Sequence, residues 1–221
     1  HSPNLDVRCI PGGVDVDRIT PATFPRNGPI RILFVGRHAT QKSLDVLLDA
    51  FAALPQRNGV TLRLVGDGPT KDSLQDQASR LGIAEHVEFL PWAKREEIPG
   101  ILADADIFVL PSRDEGMPIV MLEACSAGLP IVATDLPGIR QVITSGETGL
   151  LVPVGNQDAL RDALHCVIHD QSMRLRMGAA ARALVTESYT WKAAAESYLR
   201  LVGIRPSMTP PTTTPPSAAT G

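Results

Sequence analysis

Two carboxylates in an E-x7-E spacing carry the strongest chemical signal of this sequence: Glu115 and Glu123, within Pro111-Ser-Arg-Asp-Glu-Gly-Met-Pro-Ile-Val-Met-Leu-Glu-Ala-Cys125. Gly116 and Pro118 put Glu115 in a loop and open a helix just after it, with Pro118 near the first helical position. Glu123 then falls in the second turn of an otherwise apolar helix, Ile119 to Ala127. A carboxylate in so apolar a helix is partly buried and needs a partner, because an unpaired buried charge is costly. Sugar hydroxyls would serve, since a carboxylate accepts paired hydrogen bonds from adjacent OH groups. A structural Arg or Lys is the alternative. The free amides at the start of the helix add an anion site.

An earlier loop, Phe34-Val-Gly-Arg-His-Ala-Thr-Gln-Lys42, supplies the opposite charge. Gly36 at the end of a strand allows close backbone approach, and Arg37 and Lys42 set two cations at the mouth of the next helix. That combination suits a diphosphate; a tight turn with two solvated charges is the plainer reading. Val65-Gly-Asp-Gly-Pro69 carries two more glycines, but Lys71 stands where a GxGxxG fingerprint needs its third. This counts against a dinucleotide cofactor and leaves a helix-capping turn. His38 reads as a solvated loop residue, and His86, His165 and His169 as surface residues. Asp104 and Asp106 read as caps of the turn into the strand at Ile107, and Trp191 and Tyr198 as packing anchors.

The elements that must position these loops alternate. Arg31–Val35, Thr61–Val65, Val87–Leu90, Ile107–Leu110, Ile131–Ala133 and Leu150–Val152 are short β-branched runs. Between them lie amphipathic stretches, such as the one with Leu44, Leu47, Leu48, Phe51 and Leu54 on one face. Regular alternation of this kind predicts βαβ units, hence an α/β fold with a doubly wound parallel sheet and ligands at the strands' carboxyl ends. Gly82 and Gly128 are placed as left-handed stops of their helices. Beyond Ser172 the pattern turns purely helical, Met173 to Val185 and then Trp191 to Val202, giving extra C-terminal helices. The Pro- and Thr-rich residues 206–221 are expected to be disordered.

The bulk numbers agree with one sizeable globular domain: 221 residues, 43% hydrophobic, 20% charged, net charge −3. Lys and Arg are scattered, so no basic stripe marks a nucleic-acid partner. Cys9, Cys125 and Cys166 are widely spaced with no metal-ligand cluster, which predicts a reduced, intracellular setting. No apolar run reaches the length of a membrane span. The chain opens on His1 and a loop-like stretch ending Pro11-Gly12-Gly13, and reads as a piece of a longer protein.

Taken together these loops resemble the family 4 glycosyltransferases, the retaining group 1 family with the GT-B fold of two facing Rossmann-like domains. The resemblance runs from about Ile10 to Val202. It rests on Ile10-Pro-Gly-Gly-Val-Asp15, Phe34-Val-Gly-Arg37 with Lys42, Leu64-Val-Gly-Asp-Gly-Pro69, Ala105-Asp-Ile-Phe-Val-Leu-Pro-Ser112, Glu115 with Glu123, Gly128-Leu-Pro-Ile-Val-Ala133 and Gly146-Glu-Thr-Gly-Leu-Leu-Val152. It implies residues 1–27 as an interdomain crossing, 28–187 as the donor-binding domain, and 188–205 as a helix returning toward an N-terminal domain.

The resemblance also implies roles. The Gly36 amide, Arg37 and Lys42 would hold the donor diphosphate and stabilise it as it leaves. Glu115 would contact the transferred sugar, and Glu123 the ribose hydroxyls. Gly116 and the amides of Met117, Ile119 and Val120 would line the phosphate and sugar pocket, with Leu90, Pro91 and Trp92 by the base. The donor would be a UDP- or GDP-linked sugar, with no cofactor and no metal, and the acceptor a glycan, lipid or small molecule. The setting would be cytoplasmic, with any membrane contact made through the N-terminal domain. Gly12 stands where Asn is usual, Ser43 where Gly usually follows the lysine, and Pro91-Trp92 where Gly is common. A non-catalytic nucleotide-sugar-binding module and a GT-B sugar-nucleotide epimerase are the alternatives.

Overall fold

The structure is a computed structural model that describes residues 12–22 and 28–202. The start of the crossing motif and the 206–221 tail lie outside the described residues.

Six parallel strands form one sheet: β1 (Ile30–Val35), β2 (Val60–Val65), β3 (Val87–Leu90), β4 (Ile107–Leu110), β5 (Ile131–Thr134) and β6 (Gly149–Val152). Their spatial order is β3-β2-β1-β4-β5-β6. The helices between them are α1 (Leu44–Ala52), α2 (Lys71–Arg80), α3 (Ile98–Ala103), α4 (Ile119–Ser126) and the short α5 (Pro137–Arg140). After β6 come α6 (Gln157–His169), α7 (Gln171–Ser188) and α8 (Trp191–Leu201). The predicted doubly wound sheet is therefore present. β4 and β5 are buried at every position, as strands covered on both faces must be, whereas β1, β2 and β3 carry Arg31, Arg63 and Glu88.

The order reverses between β1 and β4, where the connections leave in opposite directions and open a crevice at the strands' carboxyl ends. β1 pairs with β4 through Ile32↔Ile107 and Leu33↔Phe108. Asp106 fastens that seam by accepting the Arg31 backbone N–H at 2.8 Å. Asp104, at the C-cap of α3, also bridges two guanidinium groups, Arg31 at 2.6 Å and Arg63 at 2.7 Å.

The predicted face of α1 is buried at Leu44, Leu47, Leu48 and Phe51, and Leu54 just beyond it is buried too. The left-handed stops appear at Gly82 and Gly128, with φ of +66° and +75°. Helix α7 is longer at both ends than its apolar pattern predicts. The carboxylate of Asp170 accepts the Met173 amide at 2.8 Å, so a side-chain cap, not a hydrophobic residue, sets its start. The helix α5 carries no sequence signal, four residues being too few for a periodic pattern to register.

The reading of α8 as held by apolar anchors needs correction: none of its residues is buried, and Trp191, Tyr198, Leu201 and Val202 are each about half exposed. The junction before α8 holds residues near the start of the described chain. Val14 donates to the Tyr189 carbonyl at 2.8 Å and bridges Thr190, laying residues 13–14 against the α7–α8 junction.

Candidate donor-binding site

At the switch point the loop after β1 and the loop after β4 are sewn together. The Arg113 amide donates to the Gln41 carbonyl at 2.8 Å, and the Gln41 side-chain amide donates to the Asp114 carbonyl at 3.0 Å. Within this seam the Lys42 ammonium lies 2.5 Å from Glu115 Oε1, and the buried Ser112 hydroxyl donates to the same oxygen at 2.8 Å. Ser112 is itself fixed by Thr134 at the end of β5, whose hydroxyl donates to the Ser112 carbonyl at 2.6 Å. Lys42 and Glu115, assigned separately to diphosphate and sugar, thus form one pair, largely shielded from solvent. An ammonium has three donors, so the pair leaves Lys42 with two.

Immediately after Glu115 the chain turns into α4. Pro118 is the N-cap, one position earlier than read, with φ −67° and ψ 122°. Its ring sets the entry angle, and the amides of Met117, Ile119 and Val120 have no acceptor among the described residues. Such amides at a helix start attract an anion.

Ile119, Val120 and Glu123 then line an open cleft of about 500 Å³, walled opposite by Gly36, Gly66, Trp92 and Arg95. Glu123 is half-buried, and burial lifts its carboxyl above the usual range against the pull of the Arg95 and Arg18 charges. Neither arginine forms an ion pair with it, so the structural-partner alternative is not realised among the described residues. Arg18 and Arg95 carry no sequence signal, since isolated arginines form no pattern.

Of the residues expected here, Gly36, Trp92, Ile119, Val120 and Glu123 line the cleft, whereas Arg37, Lys42, Glu115, Gly116, Met117, Leu90 and Pro91 stand outside its lining. Arg37 is exposed and forms no ion pair among the described residues. The Gly36 amide is not free for a phosphate: it donates to the Val65 carbonyl at 2.9 Å, continuing the β1–β2 ladder. Trp92 is 64% exposed at the cleft's edge.

His38, read as a solvated loop residue, is completely buried. Its ring sits between Phe34 and Phe89, with centroids 6.4 and 6.3 Å away, and neither ring nitrogen has a partner. Burial, then the Lys71 charge, pushes its pKa down and favours the neutral ring. The glycines of the loop after β2 make room for this packing. A β-carbon at Gly66 would lie 2.0 Å from the Gly36 carbonyl oxygen, and one at Gly68 2.3 Å from that of His38. That loop braces the first loop, and its Gly66 also lines the cleft. His165 is partly covered, unlike the exposed His169, and their ring centroids lie 4.2 Å apart with the planes tilted by 43°.

An open α/β sheet with an anion-attracting helix start, a paired lysine and a half-buried carboxylate at its switch point is the arrangement in which doubly wound domains place their ligands. The family is then a matter of comparison. The family model for the glycosyl transferases group 1 matches residues 15–184, and the chain belongs to that family. Among its relatives, the phosphatidyl-myo-inositol mannosyltransferase of Mycobacterium tuberculosis is 38% identical over 203 residues, covering 87% of this chain and 52% of its own. The GDP-mannose-dependent alpha-(1-6)-phosphatidylinositol monomannoside mannosyltransferase of Mycolicibacterium smegmatis is 33% identical over 208 residues, with 86% and 54% covered. Among solved structures, the sucrose-phosphate synthase of Thermosynechococcus elongatus superposes with a TM-score of 0.79 at 26% identity, covering 89% of this chain and 52% of that one. The chain thus spans about half the length of the relatives it matches.

Proposed function

We propose that this chain is the donor-binding half of a retaining glycosyltransferase of family 4, with a GT-B fold completed by a second, acceptor-binding domain. The enzyme would move a sugar from a UDP- or GDP-linked donor to an acceptor hydroxyl. The observation that carries this reading is the Lys42–Glu115 pair set one turn before the free amides of α4.

The chemistry follows from charge. As the bond from the anomeric carbon to the donor phosphate oxygen breaks, negative charge grows on the diphosphate. The α4 amides and the two remaining Lys42 donors stabilise it, aided by Arg37, and a metal ion is not required. Glu115, held by Lys42 and Ser112, lies beside the reacting end of the sugar and orients it. Glu123 accepts the ribose hydroxyls across the cleft. The leaving phosphate oxygen takes the acceptor's proton as the new bond forms on the same face, so configuration is retained. Glycan, lipid and small-molecule acceptors all fit this half. Two relatives are named as acting on phosphatidylinositol compounds, which favours an acceptor at the cytoplasmic membrane surface met through the other domain.

Calorimetric titration with UDP, GDP, ADP and their sugars tests the reading. Binding of a nucleotide that is lost in Glu123→Ala is the expected result. Equal affinity of wild type and Glu123→Ala would remove the cleft from the donor site. Transfer activity appearing only when the second domain is present would separate an enzyme half from a binding module.

A further inference from the structure

The cleft's lining joins the start of α4 to the segment after β3. Ile119 and Val120 mark the anion end at the start of α4, and Glu123 follows one turn on. With phosphates at the first and ribose at the second, the lining left for the base includes Trp191 at the start of α8 and the segment that follows β3. That segment offers Trp92, an exposed aromatic face, and Arg95, whose guanidinium enters no ion pair or hydrogen bond among the described residues. Ala93 and Ile98 complete an apolar wall there.

An arginine fork is all donors and no acceptor, so it selects a base edge with two adjacent acceptors. Guanine has one, O6 beside N7. Adenine sets an N6 donor beside N7, and uracil offers O4 between a ring C–H and the N3–H donor. Glu123 is the sole carboxylate among the described lining residues, and the ribose occupies it. Nothing carboxylate-like therefore remains to read the N1–H and N2–H₂ donors of guanine.

We propose that Arg95 reads the O6/N7 edge of a guanine base stacked against Trp92, making the donor a GDP-linked sugar. This rests on the cleft being the nucleotide-sugar site. Arg95 sets base specificity, while Trp92 supplies stacking that every base can use.

Titration of wild type, Arg95→Ala and Trp92→Ala with GDP, IDP, UDP and 7-deaza-GDP tests it. Arg95 is exposed, so its truncation leaves the core intact. GDP and IDP, which share O6 and N7, should bind alike and about 10- to 100-fold more tightly than UDP. Replacing N7 by carbon in 7-deaza-GDP should weaken binding, and Arg95→Ala should bring GDP down to the affinity of UDP. Trp92→Ala should weaken all four by a similar factor. UDP binding as tightly as GDP to wild type overturns the base assignment and leaves the donor-site reading standing. So does an equal loss of GDP and UDP in Arg95→Ala, which would place the guanidinium on the diphosphate or on Glu123. Failure of every nucleotide to bind overturns the donor-site reading itself and this proposal with it.

Discussion

A β-carbon on Gly138 would lie 1.5 Å from the carbonyl oxygen of Gly116. The four-residue helix α5 thus rests directly on the loop that presents Glu115, backbone against backbone. Gly138 is buried and its φ is not in the left-handed region, so the contact alone requires glycine there. Gly138→Ala should displace the Gly116 peptide and cost about 1–3 kcal/mol of stability, the usual penalty of overpacking. Donor affinity should fall with it, because the free amides of Met117 and Ile119 follow the displaced peptide. Denaturant melts paired with nucleotide titration check this; a stable variant with unchanged affinity would show that α5 does not position the loop.

The Lys42–Glu115 pair makes a second prediction. Removing one member of a shielded pair leaves the other charge poorly compensated. Lys42→Met should therefore lose about 1–2 kcal/mol of stability, and less of it when Glu115 is already Gln. The coupling is read from a double-mutant cycle in urea. In the two-domain enzyme, Lys42→Met should also lower kcat by about 100-fold or more, the scale of losing a donor aimed at developing charge. Loss of stability without loss of rate would make the pair a structural clasp.

The α/β class and most helix positions were legible because β-branched runs and 3.6-residue apolar stripes are local. The E-x7-E spacing likewise placed Glu123 on the cleft, since a helix fixes where its second turn faces. What was not legible depends on contacts between loops distant in sequence. Nothing local marks His38 as buried; it is covered by Phe89 and by a loop whose glycines looked like phosphate ligands. The Gly36 amide looked free until β2 was set beside it, and its acceptor, Val65, is an ordinary strand residue. Helix α8 shows the converse: its apolar residues fit a core pattern, yet none of them is buried.

Ser43 supports a third prediction. It is the one non-glycine with positive φ among the described residues, at φ 49° and ψ 41°, where the family usually has glycine. A side chain in that conformation costs about 1 kcal/mol. Here the Ser43 hydroxyl compensates by accepting from Arg113 Nε at 2.9 Å, joining the two switch-point loops once more. Ser43→Ala keeps the strain and loses the bond, so it should be destabilised by about 1 kcal/mol. Ser43→Gly loses the bond and relieves the strain, so its midpoint should stay close to wild type. Equal destabilisation of both variants would show that the backbone at this position is unstrained.

The last prediction concerns pH. Burial raises the Glu123 carboxyl above its ordinary value, partly offset by Arg95 and Arg18. A carboxylate raised on folding favours the native state only while protonated. Its contribution is complete below the ordinary glutamate value and disappears as pH rises through the raised one. At neutral pH the ionised side chain is therefore a burden on the folded protein without a ligand, and Glu123→Gln should melt at a higher temperature than wild type. The difference should shrink as pH falls toward the glutamate range, where wild type also carries a neutral group. Nucleotide should reverse the order at neutral pH: ribose hydroxyls donating to the carboxylate stabilise wild type, while the amide of the variant gains less. Thermal melts of both proteins at two pH values, with and without nucleotide, read all four states. A melting difference that does not move with pH would mean that Glu123 is as well solvated in the cleft as in the unfolded chain.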